Sequence, residues 1–107
     1  MTRVRIVLST IDGADKARQV AGRLVEERLA ACVNIVPKVL SVYQWEGEIH
    51  NDEEWLMIIK TADNRLHRLL DRLQELHPYD VPEGVSLSVE GGLSDYLQWV
   101  IDETGSG

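Results

Sequence analysis

Hydrophobic residues in this chain change period several times, and each change marks a new element. Val4, Ile6 and Leu8 alternate with Arg3, Arg5, Val7 and Ser9, which predicts a strand over 2–10 with one apolar and one mixed face. The period then lengthens. Ala17, Val20, Ala21, Leu24 and Arg28 fall at helical spacing, which predicts an amphipathic helix over 14–29, capped by Asp12 and with the Arg28 stem covering the end of the stripe. A helix of that length suits a crossover, so the next strand is expected to run parallel to the first.

Residues 30–61 read as two long strands joined by a turn at Glu46-Gly47, because β-branched, aromatic and aliphatic side chains dominate both arms. Arms of about a dozen residues at roughly 3.3 Å each span some 40 Å, far beyond the usual strand. A domain this small cannot cover such a ribbon, so residues 39–52 are expected to lie against something outside the subunit. Pro37 interrupts the first arm, and the alternation of Val33 and Ile35 does not continue cleanly into Leu40 and Val42, which predicts an edge strand with a bend. The run Trp55-Leu56-Met57-Ile58-Ile59 predicts burial on both faces, one against helices and the other against another subunit or layer.

Leu66, Leu69, Leu70, Leu73 and Leu76 line one face of a second helix, capped by Asp63 and ended by His77-Pro78. A loop over 79–84 leads to a fourth strand, in which Val85, Leu87 and Val89 alternate with Ser86, Ser88 and Glu90. After Gly91-Gly92, Leu93, Tyr96, Leu97, Val100 and Ile101 form a short final helix, with 104–107 expected to fray. The predicted architecture is therefore α+β, a ferredoxin-like β-α-β-β-α-β sandwich with a long hairpin between its second and third strands and an extra C-terminal helix, in one domain over 1–107. That plan hosts many unrelated activities, so function must be argued from sites.

Composition narrows the field. With 107 residues, 44% hydrophobic and 27% charged, the chain holds enough apolar side chains for one core. A net charge of -7 argues against nucleic acid as a partner, because such proteins present a basic face. A single cysteine excludes an internal disulfide and every paired-cysteine metal motif. The start, MTRVRIVLST, has an apolar run too short for a signal sequence or a membrane span, so the expected setting is cytoplasmic, without a membrane partner. An RNA-recognition domain needs stacking aromatics on its central strands, and 4–8 has none. A metal chaperone of this fold needs a CxxC loop where the chain reads Ser9-Thr10-Ile11-Asp12-Gly13. Asp12 and Asp15 oppose an anion-cradling loop of the acylphosphatase kind.

Several blocks are more specific: Ala31-Cys32-Val33-Asn34-Ile35-Val36-Pro37, Tyr43-Gln44-Trp45-Glu46-Gly47, Asp52-Glu53-Glu54, Ile58-Ile59-Lys60-Thr61, Leu76-His77-Pro78-Tyr79-Asp80-Val81-Pro82-Glu83 and Glu90-Gly91-Gly92-Leu93-Ser94-Asp95-Tyr96-Leu97. In this order they closely resemble the CutA divalent-cation-tolerance family over nearly the whole chain. The resemblance implies a homotrimer similar to the PII signalling proteins, a cytoplasmic setting, no catalysis and a link to copper and other divalent cations.

Copper-binding members of that family carry a cysteine at the end of the first strand and two adjacent histidines before Pro-Tyr; here those positions hold Ser9, Leu76 and His77. The metal candidates are therefore His77 and Cys32, each with a plainer alternative: His77 as the end of its helix, Cys32 as a small buried hydrophobe. A weakly bound copper(II) or other divalent ion is the expected cofactor, and none is obligatory. Ser9, Lys60, Tyr79 and Glu90 are candidate residues of a cleft between subunits, where Lys60 meets an anion or forms an interface ion pair. Tyr43, Trp45 and Trp55 are candidate interface aromatics, with a ligand platform near the hairpin tip as the alternative for the first two. Glu46, Glu48, Asp52, Glu53 and Glu54 make an acidic run, either a solvated face or a weak site for hard cations. Two functions follow: a non-catalytic trimer tied to divalent cations, or a PII-like regulatory module holding a small anionic ligand between subunits.

Overall fold

The computed structural model describes residues 1–105. Its elements follow the periods of the chain: β1 (Val4–Ile11), α1 (Ala14–Glu26), β2 (Cys32–Trp45), β3 (Glu48–Ala62), a 3-10 turn (Asp63–Arg65), α2 (Leu66–Leu76), β4 (Val85–Ser88) and α3 (Ser94–Glu103). The strands form one four-stranded sheet in the order β2-β3-β1-β4, with every neighbouring pair antiparallel. β2 does run in the same direction as β1, but β3 lies between them, which is the split form of the β-α-β unit.

Register assigns the faces. Val7 pairs with Ile59, Ser9 with Met57 and Ile11 with Trp55, and this face meets Leu24 of α1 and Leu69 and Leu73 of α2 in the main core. On the opposite face, Val4 pairs with Ala62, Ile6 with Lys60 and Leu8 with Ile58. α3 covers only one end of that second face, where Val100 packs with Val4 and Ala31. Beyond α3, Ile6, Leu8, Leu56 and Ile58 are half-buried, and Val85 and Leu87 of β4 are exposed. Met57 and Ile59 are thus buried within the subunit, whereas Leu56 and Ile58 point to an apolar surface that their own chain does not cover.

The hairpin turns at Glu46 and Gly47, both at positive φ (51° and 82°), the pair of left-handed residues that a tight type I′ turn needs. β2 is an edge strand with an irregular register between Val36 and Val39, and Lys38 sits there at φ 60°. The ribbon stretches the molecule to 44 × 25 × 22 Å. Its accessible surface of 6647 Å² compares with about 6,000 Å² for a compact monomer of 12.1 kDa.

Some local expectations are corrected. α1 stops at Glu26 rather than near residue 29, because Arg28 turns left-handed (φ 60°) and the amides of Leu29 and Ala30 both donate back to the carbonyl of Leu24. Arg28 then reaches away from the helix stripe to donate to the carbonyl of Asp102 at 2.9 Å. Asp12 does not cap α1; its carboxylate pairs with Lys16 at 3.2 Å. Asp63 opens a 3-10 turn instead of capping α2 with its side chain, and its amide donates to the carbonyl of Arg3. Thr104 does not fray: it is fully buried, its hydroxyl donates to the Val100 carbonyl at 2.7 Å, and its own carbonyl accepts from Arg65 at 2.8 Å. Ser106 and Gly107 lie outside the described residues.

Candidate functional site

The sequence candidates fall into separate places. His77 follows the last turn of α2, where Pro78 stops the helix, and its ring is buried against β1. Nε2 lies 2.8 Å from the carbonyl oxygen of Thr10, so it carries the proton and donates; Nδ1 accepts from the amide of Tyr79 at 3.2 Å. Both ring nitrogens are therefore engaged, and neither reaches the last carbonyls of α2. The ring joins loop 79–84 to β1, and Tyr79 stands edge-on to it with centroids 4.5 Å apart. A metal ion at His77 requires one of these two bonds to break.

Cys32 lies elsewhere, at the start of β2 opposite Lys60. Its thiol sits 3.9 Å from Oδ1 of Asn34, which also accepts from the Lys60 ammonium. Burial and the neighbouring Cys32 sulfur push the Tyr96 phenol upward, which places α3 over the same corner. Cys32 and His77 are thus held at different points along the sheet, one by Lys60 and the other by Thr10. Among the described residues, no group of three or more His, Cys, Asp or Glu side chains is arranged to hold a metal ion.

The cleft candidates are likewise divided. Ser9 is fully buried on the helix-covered face, and its hydroxyl is without a partner among the described residues. Lys60 occupies the other face, and Glu90 lies exposed beyond β4. Lys60 and Glu90, both described, form no ion pair with each other inside the subunit. Tyr43 and Trp45 remain 42% and 43% exposed on the outer ribbon, while Trp55 packs against the subunit's own core. Its register partner is the buried Ile11.

What the structure does bring together is Tyr79 with the base of the hairpin. The Tyr79 hydroxyl donates to Glu54 at 2.7 Å, and burial, reinforced by that carboxylate, raises the Tyr79 phenol far above its ordinary value and keeps it a donor. Thr10, Tyr43, Trp45, Glu54, Tyr79 and Glu83 line a cavity of about 600 Å³ between the ribbon and loop 79–84. Tyr43 donates to Asp52 across the ribbon and stacks on His50 at 5.4 Å. Sequence reasoning placed Glu54 only within an acidic run and did not single out Thr10 or Glu83. Their convergence depends on how loop 79–84 folds back over β1, which no local period encodes. The exposed apolar residues Leu40, Val42 and Ile49 lie on the other side of the outer ribbon, within the stretch 39–52.

These features define a class: a small α+β subunit with a split β-α-β sheet, one open apolar sheet face and a projecting ribbon. Residues 5–103 match the model of the CutA1 divalent ion tolerance protein family. The divalent-cation tolerance protein CutA of Thermus thermophilus is 47% identical over 94% of this chain and 97% of its own length. Human protein CutA is 47% identical over 84% of the chain, and the chloroplastic CutA of Arabidopsis thaliana 42% over 92%; the chain spans about half the length of each, 50% and 54%. Among solved structures, CutA from Xylella fastidiosa superposes with a TM-score of 0.95 at 36% identity, covering 97% of this chain and 100% of that one. CutA1 from Oryza sativa gives 0.94 at 40%, covering 99% and 97%. The chain belongs to the CutA divalent-ion tolerance family.

Proposed function

We propose that this protein acts as a non-catalytic homotrimer in the cytoplasm, contributing to tolerance of divalent cations. One observation carries the assembly: the second face of the sheet presents Ile6, Leu8, Leu56, Ile58, Val85 and Leu87 together, covered by α3 only at one end. An antiparallel sheet that ended in water on that face would place polar residues there. A contiguous apolar face of this kind marks an interaction surface, and Leu40, Val42 and Ile49 add exposed apolar side chains on the opposite side of the ribbon. Copper(II) is held weakly in this reading, because His77 must give up a hydrogen bond to coordinate and Cys32 is not beside it. A PII-like regulatory role is the second reading, favoured by the cavity at the ribbon's base, though among the described residues its lining contains no basic residue to attract an anion.

Light scattering through a dilution series tests the assembly, with a trimer mass expected throughout the micromolar range. A folded monomer at those concentrations overturns it. Calorimetric titration with copper(II) of wild type and His77→Ala tests the metal: weak binding that declines further in the variant is expected, and tight binding unaffected by the substitution refutes that site.

A further inference from the structure

The cavity at the base of the ribbon has a consistent chemistry. Glu54 is only 7% exposed, yet no cationic side chain lies within ion-pair distance of it among the described residues. Its Oε2 accepts from the Tyr79 hydroxyl at 2.7 Å. Among the described residues its Oε1 has no hydrogen-bond partner and Ser9 Oγ is the only fully buried polar side-chain atom left without one, so Oε1 is accessible from the cavity that Glu54 lines. A nearly buried carboxylate without a counter-charge is expensive, and burial is normally tolerated because a cation compensates it. Asp80 and Glu83 add two further carboxylates to the lining, and among the described residues no Lys, Arg or His side chain contributes to it.

The walls decide which cation fits. A bare hard metal ion needs several oxygen ligands converging at short range, and no such group exists among the described residues. The volume, about 600 Å³, is instead that of a small-molecule site, with Tyr43, Trp45 and Tyr79 supplying aromatic surface. Aromatic rings beside a carboxylate recognise protonated amines and guanidinium groups, which a metal ion's hydration shell does not permit.

We propose that this cavity binds a small organic cation, a protonated amine or guanidinium compound, with Glu54 as its counter-ion and Tyr43, Trp45 and Tyr79 as its walls. This deepens the regulatory reading above and rests on it, while reversing the charge of the ligand. The Tyr79 hydroxyl fixes one oxygen of Glu54 and so presents the other to the ligand. Glu83, which accepts from the Thr10 hydroxyl at 3.4 Å, supplies a second charge at the rim suited to a dication.

The test uses the assembled wild-type protein and agmatine, which carries a guanidinium and an ammonium group, with glutarate as a dianion of similar length. Calorimetric titration is expected to show saturable agmatine binding and a rise in Tm with agmatine concentration, with neither effect from glutarate. Glu54→Gln is expected to weaken agmatine binding at least tenfold. Glu83→Gln, a change at an exposed position that leaves the fold intact, is expected to weaken it several-fold. Absence of agmatine binding, binding of glutarate in its place, or agmatine binding unchanged in Glu83→Gln overturns the proposal. Light scattering on the same samples reports the assembly independently, so a failure of the trimer and a failure of the cation site are distinguishable.

Discussion

Leu87→Asp is expected to separate assembly from folding. Leu87 stands in β4 opposite Ile6, with its side chain on the uncovered face and 46% of its surface exposed in the isolated subunit. Burying a whole leucine side chain is worth about 1.5–3 kcal/mol, so the half still exposed contributes about 1 kcal/mol when a partner covers it. A carboxylate in its place must also be desolvated against apolar neighbours, which costs several kcal/mol more. A total near 4 kcal/mol per contact corresponds to roughly a thousandfold in the association constant. The isolated subunit loses only the covered half of the leucine, about 1 kcal/mol, because the new carboxylate stays in water there. Light scattering at micromolar concentration should therefore find a monomer with a native far-ultraviolet circular dichroism spectrum. A variant that keeps the wild-type mass and melting profile refutes the assignment of this face to assembly.

Trp45→Ala should loosen assembly by about 2 kcal/mol while leaving the monomer fold intact, read as a shift in the dilution midpoint, since Trp45 lies on the ribbon outside its own core. Ser9→Ala should raise stability by about 1 kcal/mol in denaturant melts, because it removes a buried hydroxyl without a partner and leaves a methyl-sized side chain in the core. Gly47→Ala should cost about 1 kcal/mol through its φ of 82° alone, as nothing lies within 4 Å of the added carbon, and denaturant melts of the variant will show it. Arg72, donating to both carboxylate oxygens of Glu27 at 2.9 Å, holds that carboxyl below its ordinary value near 4.5. A depressed carboxyl contributes stability above its unfolded pKa and loses it as pH falls through the folded one. Arg72→Ala should therefore lower the stability plateau above about pH 4.5 and flatten the acid limb, with the variant and wild-type profiles converging at low pH.

Element order was legible because periods of two and of helical spacing alternate cleanly, and the sheet order followed from the split β-α-β plan once the hairpin was recognised. The misreadings share one physical origin. Asp12 and Asp63 are acceptable caps by residue type, but the Asp12 carboxylate pairs with Lys16 instead, and Asp63, its amide tied to the distant Arg3 carbonyl, opens a 3-10 turn. Thr104 looked like tail because a small polar residue near a terminus usually frays, yet Arg65, thirty-nine positions away, ties its carbonyl down. Long-range partners of this sort leave no periodic trace. The same holds for His77, whose ring bonds depend on where β1 passes.

The bend at Pro37 is the case in which a broken pattern was itself the signal. Val36 pairs with Leu56 and Val39 with Glu54, so Pro37 and Lys38 together face the single residue Trp55. Leu56 and Glu54 are two apart and share a face, which puts Val36 and Val39 on that face as well, although they are three apart. The extra residue reverses the alternation for the rest of β2. Ser41, Tyr43 and Trp45 consequently lie on the Glu54 side, and Leu40 and Val42 on the other. With regular pairing the sides would exchange, and the aromatic residues would leave the carboxylate that they now accompany. Proline cannot donate to a ladder and is confined to such edges and bulges, and Lys38 accepts a left-handed φ of 60° to complete the bend. A one-residue irregularity in the backbone therefore determines which side chains lie on the Glu54 side of the ribbon and which apolar residues it exposes on the other.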